Sequence, residues 1–177
     1  MSQRISEGDG IAIIVRVDGA GDARDAERAG AKAVAVLGPI PGIREATTLP
    51  VLWLGAGEPA DADAVAIRVP ADDEDMPDTR GLEAVVDVRD EEELEHALEL
   101  HDPEIFLLSA GDDGEEVDPL DAVLELLPDV PAGKLAIAQV DVTSRDEVLA
   151  LERAGIDAVL VANAAVDELV GHRPVDV

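Results

Sequence analysis

Residues 137–164, IAQVDVTSRDEVLALERAGIDAVLVANA, decide the fold, because they contain a strand, a helix and a second strand in succession. Ser144 and Glu147 have the spacing of a helix-capping box, and Gly155 stands where a helix-ending glycine is expected. The flanking apolar runs are nearly continuous rather than alternating, which is typical of parallel strands buried on both faces. The stretch therefore predicts one β-α-β unit of a parallel sheet.

Similar units recur along the rest of the chain. The apolar, β-branched runs occupy residues 11–17, 32–38, 49–55, 64–70, 82–88, 104–110, 134–140 and 156–162. Gly30, the Asp90–Glu93 pair and Pro119 mark helix ends or helix starts between these runs. The links after the third and fourth runs are short, acidic and proline-bearing, so they predict loops or single turns in place of full helices.

Eight strands alternating with helices predict an α/β protein of a particular kind. We expect a compact (β/α)8 TIM barrel, formed as a single domain by residues 1–177. Such barrels usually need about 250 residues, so this one would be small. An open doubly wound sheet is the alternative, and the absence of a G-x-G-x-x-G motif after the first strand disfavours its dinucleotide-binding form.

The charge balance restricts the partners. The chain has 41 acidic and 13 basic residues and a formal net charge of −28. The acids are spread through the helical segments, which indicates a salt-adapted, halophilic surface rather than an acidic tail. Without a basic stripe, nucleic acid and anionic membranes are not expected partners. The first ten residues lack the apolar core of a signal peptide and no apolar span is long enough to cross a bilayer, so we expect a soluble, cytoplasmic protein.

Few residues could support metal or covalent chemistry. The chain has no cysteine, and its three histidines do not follow any predicted strand. Lys32 and Lys134 lie at the beginnings of strands, at the end of the barrel opposite the usual active site. The pair Asp112–Asp113 could hold a hard cation, but a solvated acidic loop is the favoured interpretation. We therefore predict neither a metal nor a cofactor.

Several stretches resemble indole-3-glycerol-phosphate synthase, the (β/α)8 lyase of tryptophan biosynthesis. Residues 81–100, GLEAVVDVRDEEELEHALEL, look like its fifth strand and helix, and residues 104–118 look like its sixth strand and following loop. Residues 135–164 resemble its seventh strand, the next helix and its eighth strand. Upstream, AGAKAVAVLG and LPVLWLG are similar to its second and third strands. The resemblance implies the same barrel fold.

The same resemblance implies that most of the family's catalytic side chains are replaced. The first-strand glutamate and lysine correspond to Ile13 and Val15, and the third-strand lysine, the general acid, corresponds to Leu54. The fifth-strand glutamate becomes Asp87, which keeps a carboxylate. The remaining correspondences are Ser109 for the sixth-strand asparagine, Gln139-Val140-Asp141 for the seventh-strand Glu-Ser-Gly, and Ala162 for the eighth-strand glycine. Loss of both lysines and both glutamates implies loss of the lyase activity.

The candidate site residues follow the strands at the end where such barrels hold their active sites. Asp87 is the candidate catalytic base. The candidate ligand-binding residues are Arg68, Arg89, Ser109, Gln139, Asp141 and Asn163. Period-two alternation places Asp87 with Arg89, and Gln139 with Asp141, on shared strand faces.

Two interpretations of these residues remain open. In the first, Arg68 and Arg89 bind an anion and Asp87 acts as a base. In the second, the charged groups form an ion-pair network that plugs the barrel mouth, with Leu54, Val15 and Val17 filling the rest. The apolar residues favour the plug.

Three functions are compatible with the sequence. The leading hypothesis is a catalytically degenerate, minimal relative of indole-3-glycerol-phosphate synthase. The alternative is a barrel lyase or isomerase acting on a small anionic or phosphorylated metabolite. A third possibility is a subunit that works only beside a partner chain, and the sequence leaves the oligomeric state open.

The net charge generates a prediction about salt. At 0.01 M salt the Debye length is about 30 Å, so the 41 carboxylates on a chain of 177 residues repel each other almost unscreened. We expect the melting temperature to fall as the KCl concentration is lowered from 2 M to 0.05 M, as measured by thermal unfolding. Equal melting temperatures at both concentrations would refute the salt-adapted interpretation.

Overall fold

A computed structural model describes residues 1–6, 10–70, 77–111, 118–162 and 166–170. Eight parallel strands form a closed barrel in the order of the sequence, and β1 pairs with β8 to close it. The strands are β1 (Ala12–Arg16), β2 (Ala33–Val36), β3 (Val51–Trp53), β4 (Ala64–Arg68), β5 (Glu83–Val88), β6 (Ile105–Leu108), β7 (Leu135–Gln139) and β8 (Ala158–Ala162). The predicted (β/α)8 fold is confirmed, and each strand lies within one of the eight predicted runs.

Seven α-helices accompany the strands in the described residues. They are α1 (Ser2–Ser6), α2 (Ala20–Ala29), α3 (Ile43–Ala46), α4 (Glu91–Leu100), α5 (Pro119–Leu126), α6 (Arg145–Ala154) and α7 (Val166–Val170). None of these helices, taken over the described ranges, has both the length and the apolar character needed to cross a membrane.

Local capping fixes the ends of the longer helices. Ser144 and Glu147 form a complete capping box at the start of α6, and the Asp90 side chain accepts a hydrogen bond from the Glu93 amide of α4. Gly30 and Gly155 end α2 and α6 with φ of 100° and 110°, in the left-handed region that glycine adopts without strain. The helix boundaries thus follow from short-range signals in the sequence.

Three connections carry little or no helix. The β3–β4 connection, residues 54–63, is described throughout and contains none, and the described part of the β4–β5 connection contains none either. Reduced helices after strands three and four were expected. The β2–β3 connection is also reduced, because α3 has only four residues and follows the proline-rich stretch 39–42.

The carboxylate of Glu27 ties α2 to the short β2–β3 connection. It accepts hydrogen bonds from the Thr47 hydroxyl at 2.9 Å, from the Thr48 amide at 3.2 Å and from the Thr48 hydroxyl. The bond from the Thr48 hydroxyl, with that from Thr47, holds the pKa of Glu27 below its usual value. Polar contacts therefore hold this connection where a full helix is missing.

Apolar side chains form two layers on the two faces of the strands. The outer cluster joins strand residues such as Val15 and Val34 to helix residues such as Ala23, Leu94 and Leu151. The interior cluster fills the barrel and consists of Ala12, Ile14, Ala33, Ala35, Leu52, Ala64, Val85, Ile105, Leu107, Ile137, Ala158, Leu160 and Ile5 of α1. Because α1 packs on this cluster, it covers the end of the barrel at which the strands begin.

The ends of β2 and β3 approach each other closely at Gly55. A Cβ atom at this position would lie 1.9 Å from the Leu37 carbonyl oxygen. A Gly55→Ala variant should therefore lose about 1–3 kcal/mol of unfolding free energy, because the backbone must shift to relieve the overlap. Urea unfolding at high salt, followed by the fluorescence of Trp53, measures this loss. Gly38→Ala is the control, since a Cβ there meets no atom within 4 Å; equal stability of Gly55→Ala and wild type would contradict the prediction.

Candidate functional site

A cleft of about 910 Å³ opens at the end of the barrel where the strands finish. Residues from all eight strands, or from the segments that directly follow them, line it. The lining side chains of β1 to β4 include Arg16, Leu37, Leu54, Ala66 and Arg68, and those of β5 to β8 include Asp87, Arg89, Leu107, Ser109, Gln139, Asp141, Leu160 and Ala162. The volume lies within the range of pockets that hold small ligands.

Asp87 and Arg89 project into this cleft from the end of β5. The Ser109 hydroxyl donates a hydrogen bond of 2.6 Å to Oδ1 of Asp87. Nη2 of Arg89 lies 3.8 Å from Oδ2 of Asp87, within the range of an ion pair. The Asp87 and Arg89 side chains are 18% and 21% exposed. The two residues that were predicted to share a strand face therefore form an ion pair at the edge of the cleft.

Arg68 occupies the neighbouring position on β4. Its Cα is the register partner of the Asp87 Cα, which places both side chains on the interior face of the sheet. The Arg68 side chain is exposed, and no ion pair or hydrogen bond joins it to another residue in the described ranges. Of the two arginines near Asp87, Arg89 is the one that forms an ion pair with it.

Arg16 is a cleft residue that the sequence reasoning missed. It ends β1, pairs in register with Ala162 of β8, lines the cleft and is exposed. The interior residues of β1 are Ala12 and Ile14, four and two positions before it, so Arg16 continues the interior face. Its charge, alone in the apolar run 11–17, was the signal that could have identified it.

The expected filling of the mouth by Val15 and Val17 is wrong. Both valines belong to the outer cluster that packs against the helices. Ile13, the other position assigned to the family's first-strand chemistry, also lies in that cluster. The sequence analysis therefore assigned the interior face of β1 to the wrong set of alternate residues. A strand that is buried on both faces has no apolar–polar alternation to mark its interior side.

Leu54 does reach the mouth, as expected, but it lines an open cleft instead of closing a plug. Beside it lies Leu37 at the end of β2, a large apolar side chain that is 55% exposed. The wall of the cleft formed by β2 and β3 is therefore apolar. Arg16 of β1 lies on one side of this wall, and Arg68 of β4 lies on the other. The plug interpretation required a packed mouth, whereas the described residues leave a cleft there, which favours the interpretation as a binding site.

The other predicted ligand-binding residues lie on the remaining walls of the cleft. Ser109 is buried after β6, and Gln139 and Asp141 are exposed at the end of β7. Asp118, which caps α5 by accepting a hydrogen bond from the Leu120 amide, adds a further carboxylate to the cleft. Asn163 and the pair Asp112–Asp113 lie outside the described residues.

Both lysines of the chain are distant from this cleft. Lys32 and Lys134 precede β2 and β7, and Lys134 donates hydrogen bonds to Asp102 and Glu104 at the opposite end of the barrel. Over the described ranges, no group of three or more histidine, cysteine, aspartate or glutamate side chains could hold a metal ion. The described part of the cleft thus offers guanidinium groups, carboxylates, one hydroxyl and one amide.

The closed barrel and its cleft define the class of this protein: a (β/α)8 barrel with an open, arginine-lined mouth at the carboxyl ends of the strands. Comparison with solved structures agrees on the fold. The thiamine phosphate pyrophosphorylase of Pyrococcus furiosus superposes with a TM-score of 0.63 over 90% of this chain and 94% of that one, at 19% identity. The N-acetylmannosamine-6-phosphate 2-epimerase of Clostridium perfringens gives a TM-score of 0.65 over 89% and 88%, at 16% identity.

In sequence, the chain is related to indole-3-glycerol phosphate synthases. It is 37% identical to the enzyme of Variovorax paradoxus over 84 residues, which are 48% of this chain and 31% of that protein. It is 33% identical to the enzyme of Albidiferax ferrireducens over 133 residues, which are 71% of this chain and 50% of that protein. The chain therefore spans half or less of the length of these curated relatives. No protein-family model matches it.

The Asp87 and Arg89 side chains are partly buried but open to the cleft, so neutralising Asp87 should cost less than breaking a fully buried ion pair. An exposed ion pair contributes about 1 kcal/mol or less, whereas breaking a fully buried pair costs about 3–5 kcal/mol. Asn in place of Asp87 also keeps an oxygen that can accept the Ser109 hydrogen bond. We therefore expect Asp87→Asn to lower the unfolding free energy by less than about 3 kcal/mol in urea titrations. A loss of 3 kcal/mol or more would mean that the mouth is packed as a plug.

Proposed function

We propose that this barrel binds a small anionic or phosphorylated metabolite in its cleft and lacks the lyase activity of indole-3-glycerol phosphate synthases. The observation that carries the proposal is the position of Arg16, Arg68 and Arg89 around one cleft. The whole chain has only 13 basic residues against 41 acidic ones. Three arginines converging on one cleft of so acidic a protein favour an anionic ligand, because guanidinium groups match carboxylate and phosphate oxygens in pairs.

The names of structurally similar proteins agree with this ligand class. The pyrophosphorylase and the epimerase are named for phosphorylated compounds, and a geranylgeranylglyceryl phosphate synthase of Thermoplasma acidophilum, with a TM-score of 0.58 and 15% identity, holds sn-glycerol-1-phosphate. At these identities the likeness supports the fold alone. The ligand class therefore depends on the arginines of this chain.

The replacement of the family's lysines argues against the lyase reaction. The family's third-strand lysine corresponds to Leu54, which is apolar, and both lysines of this chain lie at the other end of the barrel. Losing one stabilising donor of a developing charge costs a factor of roughly 10²–10³ in rate, so losing several leaves no measurable activity.

A second candidate, a lyase or isomerase that uses Asp87 as its base, is favoured by the open cleft. A general base must reach the substrate proton with an oxygen that is available to accept it. In this structure Ser109 bonds one carboxylate oxygen of Asp87 and Arg89 lies against the other. These contacts favour binding over proton abstraction.

We also propose that the protein is adapted to high salt. Exposed glutamates cover helix α4 at positions 91, 92, 95 and 99, and few basic side chains lie near them in sequence. Concentrated ions would screen the repulsion between these carboxylates.

Anion binding can be measured with inorganic phosphate as the probe, at constant ionic strength in KCl. Arg68→Gln removes charge-assisted hydrogen bonds of about 1.5–3 kcal/mol, so affinity should fall about 10- to 100-fold. Trp53 serves as the reporter, because it is the only tryptophan and its Nε1 donates to the carbonyl of Gly55 beside the cleft. Calorimetric titration supplies an independent measurement.

The control for this experiment is Arg28→Gln, which removes an equal charge from the exposed surface of α2. The proposal fails if wild type does not bind phosphate, or if both variants lose affinity equally. The same preparations are assayed for formation of indole-3-glycerol phosphate, and turnover by wild type would contradict the second half of the proposal.

A further inference from the structure

The two oxygens of the Asp87 carboxylate face different partners. The Ser109 hydroxyl donates to Oδ1 at 2.6 Å, and Nη2 of Arg89 lies 3.8 Å from Oδ2. Ser109 is only 6% exposed, whereas the other two side chains reach the edge of the cleft. A buried hydroxyl, a carboxylate and a guanidinium therefore form a continuous series that ends at the cleft.

We infer that Ser109 and Asp87 are positioning residues, which hold the guanidinium of Arg89 in place for an anionic group of the ligand. The inference rests on the anion-binding function proposed above. It assigns Asp87 the role of counter-ion to a binding arginine, rather than that of a general base.

The conformational freedom of arginine is the physical reason. An arginine side chain has about 2 kcal/mol of rotamer entropy, and a group that is already ordered loses less of it when a ligand binds. Arg89 is ordered at both its ends, because its backbone amide donates to Oε2 of Glu93 at 2.8 Å and its guanidinium lies against Asp87. Arg68, the neighbour on β4, is exposed.

Ser109 is fixed in turn by its own strand end. Its amide donates to the Val88 carbonyl at 3.1 Å, which continues the β5–β6 ladder beyond Leu108. The hydroxyl is thus held by backbone that the barrel itself determines. The hydrogen bond from the Ser109 hydroxyl then keeps the Asp87 carboxylate from rotating away from Arg89.

The positioning role and simple charge repulsion predict opposite effects of removing Asp87 on anion affinity. A carboxylate beside an anion site repels the anion, so its removal should strengthen binding if charge alone matters. If Asp87 positions Arg89, its removal should weaken binding or leave it unimproved. Ser109 is uncharged, so Ser109→Ala changes no charge in the cleft, and an effect that acts through Asp87 should vanish when Asp87 is absent.

The test titrates the full chain and its variants with inorganic phosphate at constant ionic strength. Ser109→Ala should bind phosphate about threefold to tenfold more weakly than wild type, the loss expected for one hydrogen bond. Ser6→Ala, which removes an exposed hydroxyl from α1, is the matched control and should bind as wild type does. Melting temperatures establish that each variant is folded.

A double-mutant cycle tests whether Ser109 acts through Asp87. The variant that combines Ser109→Ala with Asp87→Ala should bind phosphate no more weakly than Asp87→Ala alone, because the hydroxyl then has no carboxylate to hold. Additive losses would overturn the inference, as would wild-type affinity in Ser109→Ala or tighter binding in Asp87→Ala.

Failure of the underlying function is distinguishable from failure of this inference. If Arg68→Gln weakens phosphate binding and Ser109→Ala does not, the cleft binds anions and the positioning role is wrong. If wild type fails to bind phosphate, both proposals fall.

Discussion

The pairing of β1 with β8 is the constraint on which the rest of the structure depends. Five register pairs, from Ala12 with Ala158 to Arg16 with Ala162, close the sheet. Closure leaves no exposed strand edge and brings the eight strand ends into one ring. Arg16 at the beginning of the sequence thereby shares a cleft with Gln139 and Asp141 near its end. Because the cleft exists only in the closed barrel, each of its polar residues depends on this pairing for its position.

Local signals were sufficient to predict the strands and most helices. Ser144 with Glu147, Asp90, Pro119 and the glycines that end α2 and α6 each satisfy backbone groups within a few residues of themselves, so their effect can be recognised in the sequence. The reduced connections after β3 and β4 were predictable for the same reason. The shortness of α3 was less evident, because the contacts of Glu27 with Thr47 and Thr48 that hold this connection join residues about 20 positions apart.

The faces of the strands were predictable only where polar residues mark them. On β5 and β7, Asp87 with Arg89 and Gln139 with Asp141 stand two residues apart at the strand end, and all four side chains line the cleft as expected. The run 11–17 has apolar residues on both faces, so its alternation is hidden and its valines were assigned to the wrong side. The open mouth was not predictable, because it depends on how far side chains from eight strands, distant in the sequence, reach into one space.

The adaptation to high salt proposed above would make the orientation of the cleft arginines more important. In molar salt the Debye length is about 3 Å, so neither the repulsion from surface carboxylates nor any long-range attraction to the arginines acts on an approaching anion. Recognition must then come from hydrogen bonds made in direct contact, whose strength depends on donor direction. A flexible guanidinium provides these bonds poorly, and one held by a carboxylate provides them at a lower entropic cost. On this argument, the contacts of Ser109 and Arg89 with Asp87 explain why a carboxylate can remain in a cleft proposed to bind anions.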